Sequence, residues 1–224
     1  MRQALMLALV VLVGGQMLVL GGCSDRRALT VVRDSGDKAF RFQRYENARE
    51  EYAEVVERDP TDWRYRARLG ETLLILGRPV AAREHLAIAH ELRPQDDEIL
   101  EDYARAMLAS EDFDTLHAVL TGRARQTQAV EDYIRLGTYD LRAGDADSAE
   151  RALITAANLD QGRNPEPQLA LADFYETVGD EEQAVRRLRM ALHTDIENRE
   201  ANERLRAKGY IPGPTFALPP VELR

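Results

Sequence analysis

"WRYRARLGETLLILGRPVAAREHLAIAHELRP" spans residues 63–94. It reads as two helices broken at Gly77-Arg78-Pro79, because glycine and proline are the strongest local punctuators of helix. Small residues stand at Gly70, Ala82 and Ala89, bulky ones at Leu69 and Leu86. Pro94 closes the stretch, since proline forces the residue before it away from the helical region. The same arrangement recurs along the chain. Pro60 precedes Pro94 by 34 residues, and setting the two in register aligns everything between. Gly36, Gly70, Ala104, Gly137 and Ala172 share one small position. Ala48, Ala82, Leu116, Ala149 and Ala184 share a second, twelve residues on. Tyr52, Leu86, Leu120, Leu153 and Leu188 follow, and then Val55, Ala89, Arg123, Ala156 and Ala191. The intervals are 34, 34, 33 and 35. Coincidental spacing in a plain helical bundle would not keep four columns across five units.

The spacing has a physical cause. Small positions let two helix backbones approach, and the large residue four places later fills the next layer. A single helix pair cannot bury its apolar face, so neighbours stack. Leu69-Gly70, Gly77, Ala82, Leu86, Ala89 and Pro94 fall on the W-x₂-L-G-x₂-Y…A-x₃-F…P pattern, and the chain resembles the tetratricopeptide repeat (TPR) family on these residues. That resemblance implies an all-α, right-handed solenoid of about five helix-turn-helix units. The units are expected at 29–62, 63–96, 97–129, 130–164 and 165–198. "QRYEN", "GRPVA", "SEDFD", "AGDAD" and "VGDEE" read as the turns inside them. "NREANERLRAK" at 198–208 reads as a capping helix, assigned to 199–209, of the kind that keeps a solenoid end soluble. A Pro-rich tail, 210–224, follows. The third unit departs from the pattern: Leu116 replaces the small residue, Gly122 weakens the helix, and Arg123 replaces Ala or Val. A short or displaced helix is expected near 114–126. "DQGRNPEP" at 160–167 is a longer linker, with Pro165 placed to start the next helix.

The first 22 residues are of another kind. A short positive start precedes "ALMLALVVLVGGQMLVL", Ala4 to Leu20, which carries no charge. A positive n-region, an apolar h-region and small residues describe a secretory signal peptide. An uncleaved anchor is the competing reading, since about 17 apolar residues are the lower limit for a span. Gly14, Gly15, Gly21 and Gly22 weaken such a helix. Leu20-Gly21-Gly22-Cys23 resembles the bacterial lipobox, and Cys23 is the sole cysteine of 224 residues. The resemblance implies cleavage before Cys23, lipidation of its thiol and acylation (palmitate or a similar chain) of the new amino terminus, so the mature lipoprotein would begin at Cys23 with a short linker, 23–28. A thiolate is a good nucleophile for a lipid donor, and two or more chains give stable anchoring where one is marginal. By the same resemblance Ser24 permits export to the outer membrane, and the expected location is the cell envelope, lipid-anchored, on the periplasmic face of that membrane.

Residues 23–224 carry 29 basic and 39 acidic side chains, a net charge of −10. This acidity argues against nucleic acid and against a polybasic grip on anionic lipid. Lys38 and Lys208 stand against 28 arginines in the whole chain; arginine can pair bidentately with carboxylates, and a bias of genome composition is the simpler reading. No convergent reactive set is visible. His85 and His90 are five apart and do not share a helix face as i, i+4 ligands would; in "HELRP" Pro94 stands where H-E-x-x-H needs its second His. No G-x-S-x-G or Walker loop is present. No catalytic residue, metal site or cofactor is expected beyond the lipid on Cys23.

Tetratricopeptide arrays bind peptides in a concave groove lined by the first helix of each unit. The family's carboxylate clamp needs Lys and Asn where this chain has Arg33 and Asp37, or Ala67 and Glu71, so chaperone-tail binding is not supported. The expected groove row is Phe40, Leu74, Leu108 and Leu141, ending at Glu176, flanked by Arg41, Glu71, Glu101, Arg105 and Arg142. The row also fits ordinary core, a stripe covered by the tail through Tyr210, Phe216 and Leu218, or an open face. The resemblance implies an envelope scaffold with protein or peptide partners, similar to the lipoprotein helpers of pilus assembly, secretin placement and outer-membrane protein insertion. The alternative is an envelope hydrolase or ligand-binding protein that uses the array as a frame.

Overall fold

The computed structural model describes residues 26–223. The signal segment 1–22 and Cys23 lie outside the described residues. Within them are eleven α-helices and no strand: α1 (Leu29–Arg41), α2 (Tyr45–Arg58), α3 (Trp63–Ile75), α4 (Pro79–Leu92), α5 (Asp97–Ala109), α6 (Phe113–Thr127), α7 (Val130–Ala143), α8 (Ala146–Asp160), α9 (Glu166–Val178), α10 (Glu181–Thr194) and α11 (Arg199–Ala207). A single 3₁₀ turn, Val221–Leu223, follows. The helices stack as consecutive antiparallel pairs, each against the next, in an all-α solenoid. None among the described residues is long and apolar enough to cross a membrane.

Local chemistry places the helix starts. Asp62, Asp96, Asp145, Asp180 and Asn198 each accept a hydrogen bond from a backbone N–H of the first turn. Such caps satisfy donors that have no partner within the helix, and each contributes about 1 kcal/mol. Pro79 stands at the start of α4, where its missing N–H costs nothing.

The small columns are the axles of the pairs. A Cβ added at Gly70 would sit 2.4 Å from Leu86 Cγ, and one at Gly137 would sit 2.6 Å from Leu153 Cγ. Ala48, Ala82, Ala149 and Ala184 are fully buried. Leu116 occupies their position in the third pair and is equally buried. The expectation of a short α6 is corrected: at 15 residues it equals the longest helix described. It does stand farther from α5 than the second helix stands from the first in the other pairs, because an isobutyl group fills the place of a methyl.

Arg123, the second departure in that unit, serves as a tie between units. Its side chain is 11% exposed, bonds Asp132 at 3.1 Å and Asp97 at 2.8 Å, and donates to the Pro94 carbonyl at 2.8 Å. Asp132, itself buried, also meets Arg135 and accepts from Thr127 at 2.7 Å. In the 161–165 linker, buried Asp160 holds the chain by accepting from Asn164 N at 2.9 Å and Nδ2 at 2.7 Å.

The C-terminal end is closed twice. Ala201 and Leu205 of α11 bury against the last pair. On the same pair Arg204 bonds Asp173 at 2.7 Å and Glu176 at 3.0 Å, and Lys208 bonds Glu176 at 2.8 Å. The tail then runs back over α10. Leu218 N donates to Arg189 O at 3.0 Å, and Arg189 Nε donates to Phe216 O at 2.8 Å. Glu222 meets Arg187 at 2.6 Å, with side-chain exposures of 3% and 9%. Gln168 bridges the two, accepting from Arg187 at 3.1 Å and donating to Glu222 at 3.2 Å. The tail therefore covers α10 and the 161–165 linker, and does not lie along Phe40, Leu74, Leu108 and Leu141.

Candidate functional site

The first helices of successive pairs, α1, α3 and α5, line a continuous depression. Between α1 and α3 it widens to a cleft of about 690 Å³, floored by Phe40, Tyr52 and Tyr65 and rimmed by Asp34, Lys38, Arg41, Arg64 and Arg68. Between α3 and α5 a second cleft of about 270 Å³ is lined by Trp63, Ala67, Glu71, Ile99 and Asp102. Arg64 and Arg68 line both, and the second is otherwise acidic, with Asp96 and Glu98 beside Glu71 and Asp102.

The floor of the first cleft is built from the repeat itself. Tyr52 takes the place that leucine holds in the later units, and a buried phenol needs a partner. It finds Asp37, to which it donates at 3.0 Å; Tyr65 donates to the other carboxylate oxygen at 3.4 Å. Burial pushes both phenols above their ordinary pKa, and the hydrogen bonds to Asp37 add to the shift. Phe40 meets Tyr45 edge-on at 5.5 Å, with the Arg68 guanidinium 5.5 Å above its ring. Asp37 is thus already engaged. Lys38, Arg41 and Arg64 have no carboxylate partner among the described residues. In a chain of net charge −9 this is a locally cationic, aromatic-floored cleft.

The expected groove residues fall as follows. Phe40 and Arg41 line the first cleft and Glu71 the second. Phe40, Leu74 and Leu108 are half-buried and pack on the core of the first pairs; Leu141 does so on the next core. Glu101 accepts from Tyr139 at 2.6 Å and meets Arg135 at 3.4 Å. Arg105 bonds Asp102 at 2.8 Å, and Arg142 stacks over Tyr139 at 5.4 Å. The apolar row ends at Glu176 because that position faces the capping helix and carries its ion pairs. Asp102 is raised above the usual carboxylate range by burial, which Arg105 only partly offsets.

Sequence reasoning did not single out Tyr52, Tyr65, Arg64 and Arg68 as groove residues. A signal existed in Tyr52, a polar-tipped residue in a column of leucines.

Two further groups bear on chemistry. No cluster of three or more metal-ligating side chains occurs among the described residues. On the opposite face, His117 Nδ1 lies 2.9 Å from Asp140 Oδ1, and its Nε2 lies 3.3 Å from Thr121 Oγ1. Hydroxyl, imidazole and carboxylate stand in the order of a nucleophilic triad. Thr121 sits mid-helix, however, where the neighbouring N–H groups are committed to the helix, and no pair of backbone donors converges beside it to hold an oxyanion.

Residues 33–97 match the family model described as tetratricopeptide repeat. A solved structure of the MamA protein is 21% identical, with 83% of this chain and 98% of that one covered and a TM-score of 0.58. MamA from Desulfovibrio magneticus RS-1 is 16% identical, covering 76% and 97%, with a TM-score of 0.58. A thermophilic TPR protein of Thermus thermophilus is 20% identical, covering 80% and 98%, with a TM-score of 0.50. No curated protein matches the sequence. At these identities the likeness is one of fold.

Proposed function

We propose that this tetratricopeptide-repeat solenoid is a lipid-anchored scaffold of the bacterial envelope that holds a protein partner along α1, α3 and α5. The observation that carries the reading is the first cleft, floored by Phe40, Tyr52 and Tyr65 and rimmed by Lys38, Arg41 and Arg64, cations without carboxylate partners among the described residues. Aromatic floors supply contact area at low entropic cost, and unpaired arginines favour acidic ligands. The partner segment is therefore extended, with an apolar or aromatic residue over Phe40 and an acidic residue against Lys38, Arg41 or Arg64. The lipobox at residues 20–23 supports anchoring through Cys23, and Ser24 supports the outer membrane. With only five residues between Cys23 and the start of α1, at about 3.3–3.6 Å each when extended, the array lies close to the bilayer. A helper role for a pilus, secretion or outer-membrane machine follows from that combination. The hydrolase alternative is disfavoured by the geometry around Thr121.

Three experiments test the anchor, the first cleft and the apolar row separately. Cys23→Ser should abolish incorporation of labelled fatty acid and leave an unprocessed precursor; normal labelling removes the anchor. Arg64→Glu should weaken binding of an acidic-aromatic peptide at least tenfold with melting unchanged. Undiminished binding removes the first cleft from the site. Leu74→Glu with Leu108→Glu distinguishes groove from core: lost binding with an intact fold marks groove, and lost folding marks core.

A further inference from the structure

The face formed by the second helices carries a different kind of cleft. Between α6 and α8, over Tyr133 and Leu136 of α7, lies an opening of about 240 Å³. Arg125 and Arg151 stand on its two sides, with His117, Thr121, Ser148 and Thr155 between them. Half of the described arginines are bound to carboxylates, among them Arg33, Arg83, Arg123, Arg187 and Arg204. Arg125 has no carboxylate partner among the described residues. Arg151 has Asp147 one turn behind it, yet donates to Ser148 Oγ at 2.8 Å, on the cleft side. His117 is held with Nδ1 on Asp140, whose side chain is only 4% exposed, so its Nε2 edge faces Thr121 and the opening. Asp145, the nearest other acid, caps α8 by accepting from Ser148 N at 3.0 Å.

Asp140 is engaged by His117 Nδ1 beneath the cleft and Asp145 by the start of α8, which leaves the two guanidinium groups as the charges that face the opening. Around them are three hydroxyls drawn from two helices. A dianion with oxygens pointing in several directions satisfies this set; a planar monoanion leaves one charge and part of the donors unmet. We propose that this cleft is an oxyanion-binding site for a phosphomonoester group, remote from the α1–α3–α5 groove and independent of what that groove holds. Arg125 and Arg151 clamp the phosphoryl oxygens from opposite sides, and the Ser148 hydroxyl, which accepts from Arg151, is free to donate beside them. The site is a product of the third unit's irregularity. His117, Thr121 and Arg125 recur every fourth residue on one face of α6, the helix that Leu116 sets away from α5.

The test uses the intact chain and titrates it with inorganic phosphate, glycerol 3-phosphate and acetate. The readouts are the His117 ring resonances and calorimetry. Vesicles of phosphatidylcholine with phosphatidic acid ask whether the phosphomonoester is lipid-borne. Saturable shifts are expected with phosphate or glycerol 3-phosphate and none with acetate. Arg125→Gln with Arg151→Gln, both exposed and so tolerated by the fold, should weaken binding about a hundredfold, roughly tenfold for each charge-assisted contact. Arg186→Gln, an exposed arginine on α10 outside both sites, should leave it unchanged. Stronger response to the vesicles than to glycerol 3-phosphate, lost in the double variant, identifies a lipid source of the same group. Equal response to acetate, or binding that survives the double substitution, overturns the site.

Discussion

Replacing Glu222 by Ala should loosen the C-terminal strap more than any other single change in the tail. Glu222 and Arg187 form a buried pair at 2.6 Å, and only Gln168 and the weak thioether acceptor of Met190 would remain to bond the guanidinium. Arg187 Nε is already buried without a partner, so the site has no reserve of acceptors. Removing one member of a buried pair costs about 3–5 kcal/mol, because the other charge is left uncompensated. The loss has a ceiling: once it exceeds the docking free energy of 216–223, the tail lifts and Arg187 hydrates. The effect should therefore appear as local opening, at the lower end of that range. About 3 kcal/mol corresponds to roughly a hundredfold faster exchange of the Leu218 amide, which bonds Arg189 O in the docked tail. Hydrogen exchange reads this directly, whereas a single melting temperature averages over an array that need not unfold as one unit. Arg187→Met with Glu222→Leu should restore protection, since a buried pair is commonly matched or bettered by apolar residues. Unchanged exchange at Leu218 in Glu222→Ala, or a double variant as open as the single, would refute the reasoning.

Other expectations follow from the packing. Gly137→Ala should destabilise by about 1–3 kcal/mol in urea melts, because its Cβ meets Ala149 O at 3.0 Å as well as Leu153, and backbone does not rotate away. Gly122→Ala should instead stabilise by about 0.5–1 kcal/mol, since nothing lies within 4 Å and alanine is the better helix former. Ala82, Ala149 and Ala184 are fully buried, and Leu at any of them should cost about 1–3 kcal/mol by overpacking; unchanged melting in all three would mean the small column is not where the helices touch. Burial lowers the pKa of His85 and His90 below 6.5, and their Nδ1 atoms have no partner. The unfolded chain then binds these protons more readily, so stability is full above about pH 6.5 and falls as the pH drops towards the folded values. His85→Gln with His90→Gln should flatten that fall, measured as the difference between wild type and variant from pH 7 to pH 5.

The solenoid was legible because its cause is local and repeated. Gly70 and Leu86, Gly137 and Leu153 must alternate for the backbones to approach, and the same demand returns every 33 to 35 residues. What was not legible lacks that periodicity. Pro212 to Pro220 forbid helix, but nothing in their order tells which surface they cover; the answer lies in a single carboxylate, Glu222, finding an arginine 35 residues away. His117 and Asp140 are 23 apart and belong to different units, so their bond depends on how α6 is set against α7. The expectation named a short or displaced α6, and the helix is set away from α5 but is not short. Leu116 and Gly122 each weaken a helix pair, but Arg123 restores with ion pairs what the missing small residue removes, and the helix keeps its length. The apolar row of Phe40, Leu74, Leu108 and Leu141 could be named from position alone, while the partnership of Tyr52 with Asp37 required knowing how α2 is set against α1.

The tail's closure of one end gives the array a direction under load. A pull on the C-terminus must first break a charge pair nearly sealed from water, in a segment that lies across α10 and the 161–165 linker. At the other end of the described residues stands α1, whose cap makes no side-chain hydrogen bond and whose Val31 is half exposed; ahead of it Arg27 pairs with Glu51 and Glu54 and its carbonyl accepts from Arg58. Strain transmitted from that side would peel pairs in sequence order, α1 with α2 first. The Phe40–Tyr52–Tyr65 floor would then be the earliest part of the molecule to come apart under tension.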